Sequence, residues 1–363
     1  MQMRAAVSRK GRSAPAIENV ELGDLGAGDV LVRIVACGIC RTDIDANAGL
    51  VRVPKPIVLG HEGAGIIEAI GAGVESLTPG DHVVLSGSSC GECRNCARGL
   101  PSYCRDTMRR NFGGLRPDGT TYLTAGGSRL FGHFLGQSAF AQYAMVQERC
   151  AVKVPDDLAL AVLAPLGCSL ATGAGAVFNA LHARSDDTIA IFGVGAVGLS
   201  AVMAARIVGL KRIIAVDRAV ARLALASELG ATHILEATNS GVARDIRELC
   251  PEGVDFSLNT TNSAELLSAA VECLAVHGVA AFVASPHEAW TAPLQSMLNG
   301  GKTLRAILGS DAPPQQIIMQ LVAHYRAGNF PIERLLAFYP FENLQVAFDD
   351  FSAGRVVKPV LLL

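Results

Sequence analysis

Four cysteines, Cys90, Cys93, Cys96 and Cys104, fall within "SCGECRNCARGLPSYC" at C-x2-C-x2-C-x7-C spacing. Thiolates that close together in a glycine-containing loop satisfy a tetrahedral zinc completely. Such an ion has no vacancy for a substrate, so the motif reads as structural, and its zinc supplies on the order of 10 kcal/mol of apparent folding free energy. The alternative is four reduced surface cysteines without a metal. A catalytic zinc needs three protein ligands and an open position, and its ligands can come from remote parts of the chain. "CGICRTD", with Cys40, and "GHEGAG", with His61, offer candidates. Taken singly, each is equally a buried filler thiol or a satisfied polar residue.

A second kind of chemistry is written in "AIFGVGAVGLSAV". Gly193, Val194, Gly195, Ala196, Val197 and Gly198 make G-x-G-x-x-G directly after an apolar strand pattern. Glycine permits a tight turn and close backbone approach to a pyrophosphate, which the N-terminus of the next helix then faces. The following strand pattern ends in Asp217, about twenty residues on, where a carboxylate accepts hydrogen bonds from a ribose 2′-OH. A carboxylate repels a 2′-phosphate, which favours NAD over NADP, although Arg218 follows directly. The competing role for Asp217 is a helix N-cap before "RAVARLALASEL".

The elements that must carry these groups have two textures. Up to about Leu166, short β-branched runs such as "DVLVRIVACGI", "AGIIEAIGAGV" and "DHVVL" are broken by Gly, Pro and Asp, the pattern of a mainly β, loop-rich domain. From about Thr188, apolar strands alternate with helical patterns: "TIAIF" then a helix from Ala196 to Val208, "RIIAV" then Ala219 to Leu229, "THIL", and "VDFSL" followed by "SAELLSAAVECLAV" and "GVAAFVA". Repeated βα units predict a doubly wound parallel sheet, an α/β fold. The chain ends in an amphipathic helix, "QQIIMQLVAHYRAG", and a strand, "KPVLLL".

The 363 residues are 50% hydrophobic and 18% charged, enough for a large core in two domains. Net charge is only −2 and no basic run appears, which argues against nucleic-acid and membrane partners. The N-terminus lacks the apolar region of a secretory signal, so the expected location is cytoplasmic. There, ten cysteines point to metal ligation before disulfides. Cys37, Cys150, Cys250 and Cys273 sit in apolar contexts and read as core filler.

"CGICRTD", "GHEGAGIIEAIGAGV", "PGDHVV", the four-cysteine loop, "PLGCSLATGAGAVFNAL" and "FGVGAVGLSAV", in that order, resemble the zinc-dependent medium-chain alcohol dehydrogenases nearly end to end. "FLGQSAFAQYA", "LASELGATHI" and "FYPF" are most similar to the aryl-alcohol (benzyl alcohol) dehydrogenases. The resemblance implies a GroES-like catalytic domain in residues 1–168, a Rossmann domain in 169–306 and a return to the first domain in 307–363. It implies that Cys40, His61 and Cys168 bind the catalytic zinc. Thr42 would take the hydrogen bond of the bound alcohol, Asp43 would orient His61, and Glu62 would lie behind the metal. An Asx-turn for Asp43 and a surface charge for Glu62 are the competing roles. Many relatives end the proton relay in a histidine where this chain has Asp45, so Asp45 or solvent completes it here.

By the same resemblance, Arg41 and Lys358 meet the pyrophosphate, Thr172 the nicotinamide, and Arg222 the adenosine ribose. Val283 and Ser285 lie near the carboxamide, and a solvated surface role for Arg222 stands beside the cofactor one. Ser86 and Phe140 line the substrate pocket. The implied activity interconverts a primary aromatic or allylic alcohol and its aldehyde by hydride transfer to or from NAD, with two zinc ions per chain, in a homodimer or homotetramer. Aliphatic, terpenoid, polyol or cinnamyl-type alcohols, or a catalytically silent nicotinamide-binding protein, are the alternatives.

Overall fold

Alternating β-branched and small residues build two long strands, Asp29–Gly38 and Glu62–Ile70, which pair antiparallel with Ala36 opposite Ala64 and Gly38 opposite Glu62. This register does the first positioning step: the residues just beyond one strand and just before the other, Cys40 and His61, leave the sheet at the same end. A computed structural model describes residues 1–237 and 241–363, in two units, Met1–Cys168 with Pro313–Leu363 and Ser169–Ala312.

In the first unit, Asp29–Gly38 is also paired to the C-terminal strand Lys358–Leu362, with Val360 opposite Gly38, and to Tyr143–Gln147. A second sheet of five strands contains Gln2–Ser8, Ala16–Leu22 and Ile57–Val58. Val30, Val32, Ile34, Ile67, Val83, Leu85, Phe134 and Phe140 belong to one fully buried cluster of this mainly β unit. Removing such apolar surface from water contributes about 1.5–3 kcal/mol per large side chain. The return to the first unit, expected from residue 307, begins at Pro313, because residues up to Ala312 group with the second unit; it brings the helix Pro314–Arg326 and the strand Lys358–Leu362.

The second unit is a six-stranded, wholly parallel sheet, ordered His233–Glu236, Arg212–Asp217, Thr188–Phe192, Val254–Asn259, Leu274–Phe282, Thr303–Ala306. In chain order this is 3-2-1-4-5-6, the doubly wound arrangement whose ligand crevice opens at the carboxyl ends of the strands where the order reverses. The helix Ala196–Val208 has the expected bounds. Two expectations need correction. The next helix starts at Val220, because Ala219 is extended and its N–H is taken by Asp217. "CLAV", read as the end of a helix, opens a strand instead: Leu274 pairs with Val254, so sheet pairing overrides the helical apolar pattern. No single described helix is long and apolar enough to cross a membrane.

Candidate metal centres and nucleotide loop

Cys40 is the N-cap of the short helix Arg41–Ala48, and its backbone N–H donates to Asp43 Oδ2 at 2.9 Å. Cys168 arrives from the turn Ala164–Gly167, which lies so close to the sheet that a Cβ on Gly167 would come within 2.0 Å of the Leu85 carbonyl oxygen. The result is a cluster in which donor atoms of Cys40, His61, Glu62 and Cys168 all lie within 4.8 Å of one another. His61 Nε2 is buried and makes no hydrogen bond among the described residues. A buried, unpartnered ring nitrogen facing two thiols is what a zinc ligand set requires, so the residues fit a catalytic zinc. A hydrogen bond from Cys168 holds the Cys40 thiol well below its usual pKa and pushes Cys168 up.

The groups behind these donors are fully enclosed. Asp43, 0% exposed, accepts from Gly60 N at 3.0 Å and lies 3.1 Å from His61 Nδ1, so it fixes the ring and turns Nε2 inward. Burial opposes a charge on His61, but the Asp43 carboxylate outweighs it and holds the pKa well above the ordinary value. Glu62 is neither a surface charge nor alone: Lys358 Nζ donates to its two oxygens at 3.1 and 2.9 Å, and to Ile39 O at 2.9 Å. Gly38 makes room, since a Cβ there would sit 2.2 Å from Glu62 Oε2. Lys358, expected on the pyrophosphate, is 1% exposed and committed to Glu62. Burial would discharge it, and the carboxylate beside it keeps its pKa above the usual value.

Other expected residues of this unit divide similarly. Thr42 Oγ1 lies 3.8 Å from Cys40 Sγ, beside the ligands. Asp45 is on the same helix one turn onward and half-buried. Arg41 is exposed, with its guanidinium 5.7 Å from the Phe351 ring centroid. Ser86 is buried and donates to Cys150 O at 3.3 Å. Phe140, expected beside the substrate, is instead enclosed, with Gly60 against its ring and Phe348 edge-on at 6.1 Å. The ring that meets the ligand histidine is Phe134, T-shaped to His61 at 5.6 Å and followed by Phe112 at 6.1 Å. Both rings are fully buried in one cluster, and nothing local in the sequence says which of two rings six residues apart packs against the imidazole.

The four-cysteine loop closes on itself. Cys90, Cys93, Cys96 and Cys104 bring their sulfurs within 4.8 Å, with Cys93 to Cys96 at 3.5 Å and Cys90 to Cys96 at 3.9 Å. A tetrahedron of zinc–sulfur bonds has edges of about 3.8 Å, so the loop fits the ion with little movement. Backbone N–H groups of Cys96 and Arg105 lower the Cys93 thiol to about 6. Arg149 ties the loop to the sheet by donating to Cys90 O at 2.6 Å.

In the second unit each glycine has its own task. Gly193 adopts φ +85°, a left-handed turn that favours glycine, and a Cβ on Gly198 would meet Gly193 O at 2.0 Å. A Cβ on Gly195 would meet nothing within 4 Å, which leaves the face above the helix N-terminus open for a phosphate. Val194 N donates to Asp217 Oδ2 at 2.8 Å and Ala219 N to Oδ1 at 2.9 Å, so the carboxylate is anchored at the sheet edge. Arg218 is exposed, and Arg222 Nε is buried without a hydrogen bond among the described residues. Val283 N donates to Asn259 O at 3.1 Å, and Ser285 O accepts from Asn262. Thr172 is half-buried on the helix Ser169–Gly175. Thr260 was not anticipated: its hydroxyl donates to Gly193 O at 2.7 Å and braces the glycine turn. It has no motif of its own.

A mainly β unit holding a Cys–His–Cys set around a buried histidine and a four-cysteine loop, and a second unit with a doubly wound sheet and a glycine-rich turn, define a zinc-dependent dehydrogenase. The chain belongs to the zinc-dependent medium-chain alcohol dehydrogenases: residues 26–156 match the alcohol dehydrogenase GroES-like domain and 196–324 the zinc-binding dehydrogenase domain. As a zinc-binding dehydrogenase it has two clusters of donors that each fit a zinc ion. It is 41% identical to the geraniol dehydrogenase of Castellaniella defragrans, over 99% of this chain and 97% of that one. Among solved structures, the benzyl alcohol dehydrogenase of Acinetobacter calcoaceticus superposes with a TM-score of 0.96 at 38% identity, covering 100% and 99% of the two chains. An alcohol dehydrogenase zinc-binding domain protein from Burkholderia ambifaria gives 0.97 at 45%, with the same coverage.

Proposed function

We propose that this dehydrogenase interconverts a primary allylic or aromatic alcohol and its aldehyde. The observation that carries this reading is the aromatic setting of the ligand histidine: buried Phe134 packs edge-on against the His61 imidazole and half-buried Phe112 edge-on against Phe134, apolar surroundings suited to a flat, unsaturated substrate. Similarity to a geraniol and a benzyl alcohol dehydrogenase supports the same substrate class.

When bound, zinc supplies Lewis acidity toward the alcohol or carbonyl oxygen, and NAD accepts or returns the hydride. The chain's own residues do the rest. Cys40, His61 and Cys168 hold the metal, and two thiolates balance its charge so that the site accepts a neutral alcohol. Asp43 fixes the imidazole, and the ion pair of Lys358 with Glu62 keeps a buried carboxylate neutralised behind the ligands. Thr42 accepts the hydroxyl proton of the substrate and, having both a donor and an acceptor, passes it on toward Asp45 or solvent. Asp217 favours NAD by accepting from the ribose hydroxyls, with Gly195 open to the pyrophosphate.

The test is formation of reduced nicotinamide with NAD or NADP against benzyl alcohol, geraniol, ethanol and sorbitol, before and after chelation. Highest kcat/KM with benzyl alcohol or geraniol supports the reading, and preference for ethanol or sorbitol overturns it. Assembly as a homodimer or homotetramer is part of the proposal. It is supported by the edge strand Thr303–Ala306 and by the exposed Val276, Leu294 and Leu298. Light scattering on the purified enzyme checks it. We place the enzyme in the cytoplasm, where thiols stay reduced as both zinc sites require.

A further inference from the structure

The segment "FLGQSAF", 134–140, contains three residues in the left-handed region: Leu135 at φ 45°, Gly136 at 72° and Ser138 at 56°. A bulky leucine is rarely held there, and such strain persists only where surrounding contacts enforce it. Those contacts all reach one place. Ser138 Oγ donates to Val58 O at 2.6 Å and accepts from Phe134 N at 2.9 Å. Phe140 N donates to Leu59 O at 3.0 Å, and Ala139 N to Gly60 O at 2.8 Å. Between them sits Gln137, 0% exposed, whose Nε2 donates to His61 O at 2.8 Å and whose Oε1 accepts from Gly63 N at 3.2 Å.

Bonding to the carbonyl of one residue and the N–H two residues on is what a residue in a parallel strand does to its neighbour. The Gln137 carboxamide therefore imitates a strand, straddling Glu62 where residues 59–61 run in to the strand Glu62–Ile70. Gly63 permits this, because a Cβ there would meet Ala139 Cβ at 2.7 Å. Asp43 fixes the imidazole through Nδ1 and holds the main chain before it at Gly60 N, whereas the main chain after it, at His61 O and Gly63 N, is held by Gln137.

We infer that Gln137 is a positioning residue for the zinc ligand His61: its carboxamide replaces a missing strand partner on both sides of Glu62 and so sets where His61 Nε2 is presented to the metal. Asparagine would be too short to reach both groups, and methionine would match the volume while losing both hydrogen bonds.

The inference rests on the catalytic zinc, and the experiment separates the two. Wild-type enzyme is loaded with zinc, and release to a chromophoric chelator is followed alongside metal content, for Gln137→Met and for Ser138→Ala, which loosens the same segment without touching His61. Gln137→Met should release the catalytic zinc about 10–100-fold faster, with the four-cysteine zinc retained, since loss of a group that holds a ligand in place typically weakens metal affinity by that factor. The cobalt(II) spectrum of the catalytic site should shift in the same variant. Ser138→Ala should lower thermal stability with release within about twofold of wild type. Release from Gln137→Met equal to wild type, or no faster than from Ser138→Ala, overturns the inference. Only one zinc in wild-type enzyme would instead overturn the second zinc itself.

Discussion

The two cysteine sites of the first unit solve opposite problems. In the loop from Cys90 to Cys104, chain proximity does everything: four sulfurs within a short stretch meet on a turn, and the saturated ion holds the loop. At Cys40, His61 and Cys168, proximity in the chain does nothing. There the register of Asp29–Gly38 against Glu62–Ile70 brings two ligands together, the Ala164–Gly167 turn delivers the third, and buried carboxylates tune the set. A closed site can be local because it only has to be stable. An open site has to be held from several directions so that a vacant position survives.

If that contrast is right, losing a ligand should cost different things at the two sites. Cys40→Ser should reduce kcat/KM by on the order of 10³-fold or more, because the polarising ion is worth several kcal/mol of transition-state stabilisation. Zinc content should fall from two per chain to one, with the melting temperature nearly unchanged. A collapse in stability equal to the loss of activity would break the distinction. Lys358→Met probes the intermediate case, since Glu62 would be left buried without its cation. Breaking such a pair costs about 3–5 kcal/mol, so denaturant unfolding should shift strongly even though the substitution lies behind the catalytic ligands. Cys104→Ser should lower the melting temperature by on the order of 10 °C and remove one zinc. The activity that remains at low temperature should be close to wild type, measured per folded enzyme.

What could be read from the sequence follows the same divide. The four-cysteine loop and the glycine turn are local patterns, and the structure presents both as their spacing implies. The parallel sheet was legible because buried parallel strands are continuous apolar runs between helical repeats. The roles at the open site were not legible in that way. Lys358 and Glu62 are 296 residues apart and meet only because the C-terminal strand pairs beside Gly38. Phe134 and Gln137 reach His61 through a segment with left-handed residues that no propensity encodes, and the packing of Phe140 depends on Gly60 and Phe348, far from it in sequence. "CLAV" failed for a related reason, as an apolar run fits helix and strand alike until its partner is known.

The smallest expected effect bears on how open the open site is. Asp45 shares the helix of Thr42 and is half-buried. A carboxylate can take a proton from a hydroxyl chain, and a histidine in its place would add an inflection near neutrality to the pH profile. Asp45→Ala should lower kcat for alcohol oxidation only a few-fold below neutral pH and converge on wild type as hydroxide takes over the proton. Asp45→His should restore the rate and add an inflection between about pH 6 and 7. An unchanged pH profile in Asp45→Ala would mean that the proton leaves from Thr42 directly to water, and that the vacant side of the catalytic site needs no dedicated exit.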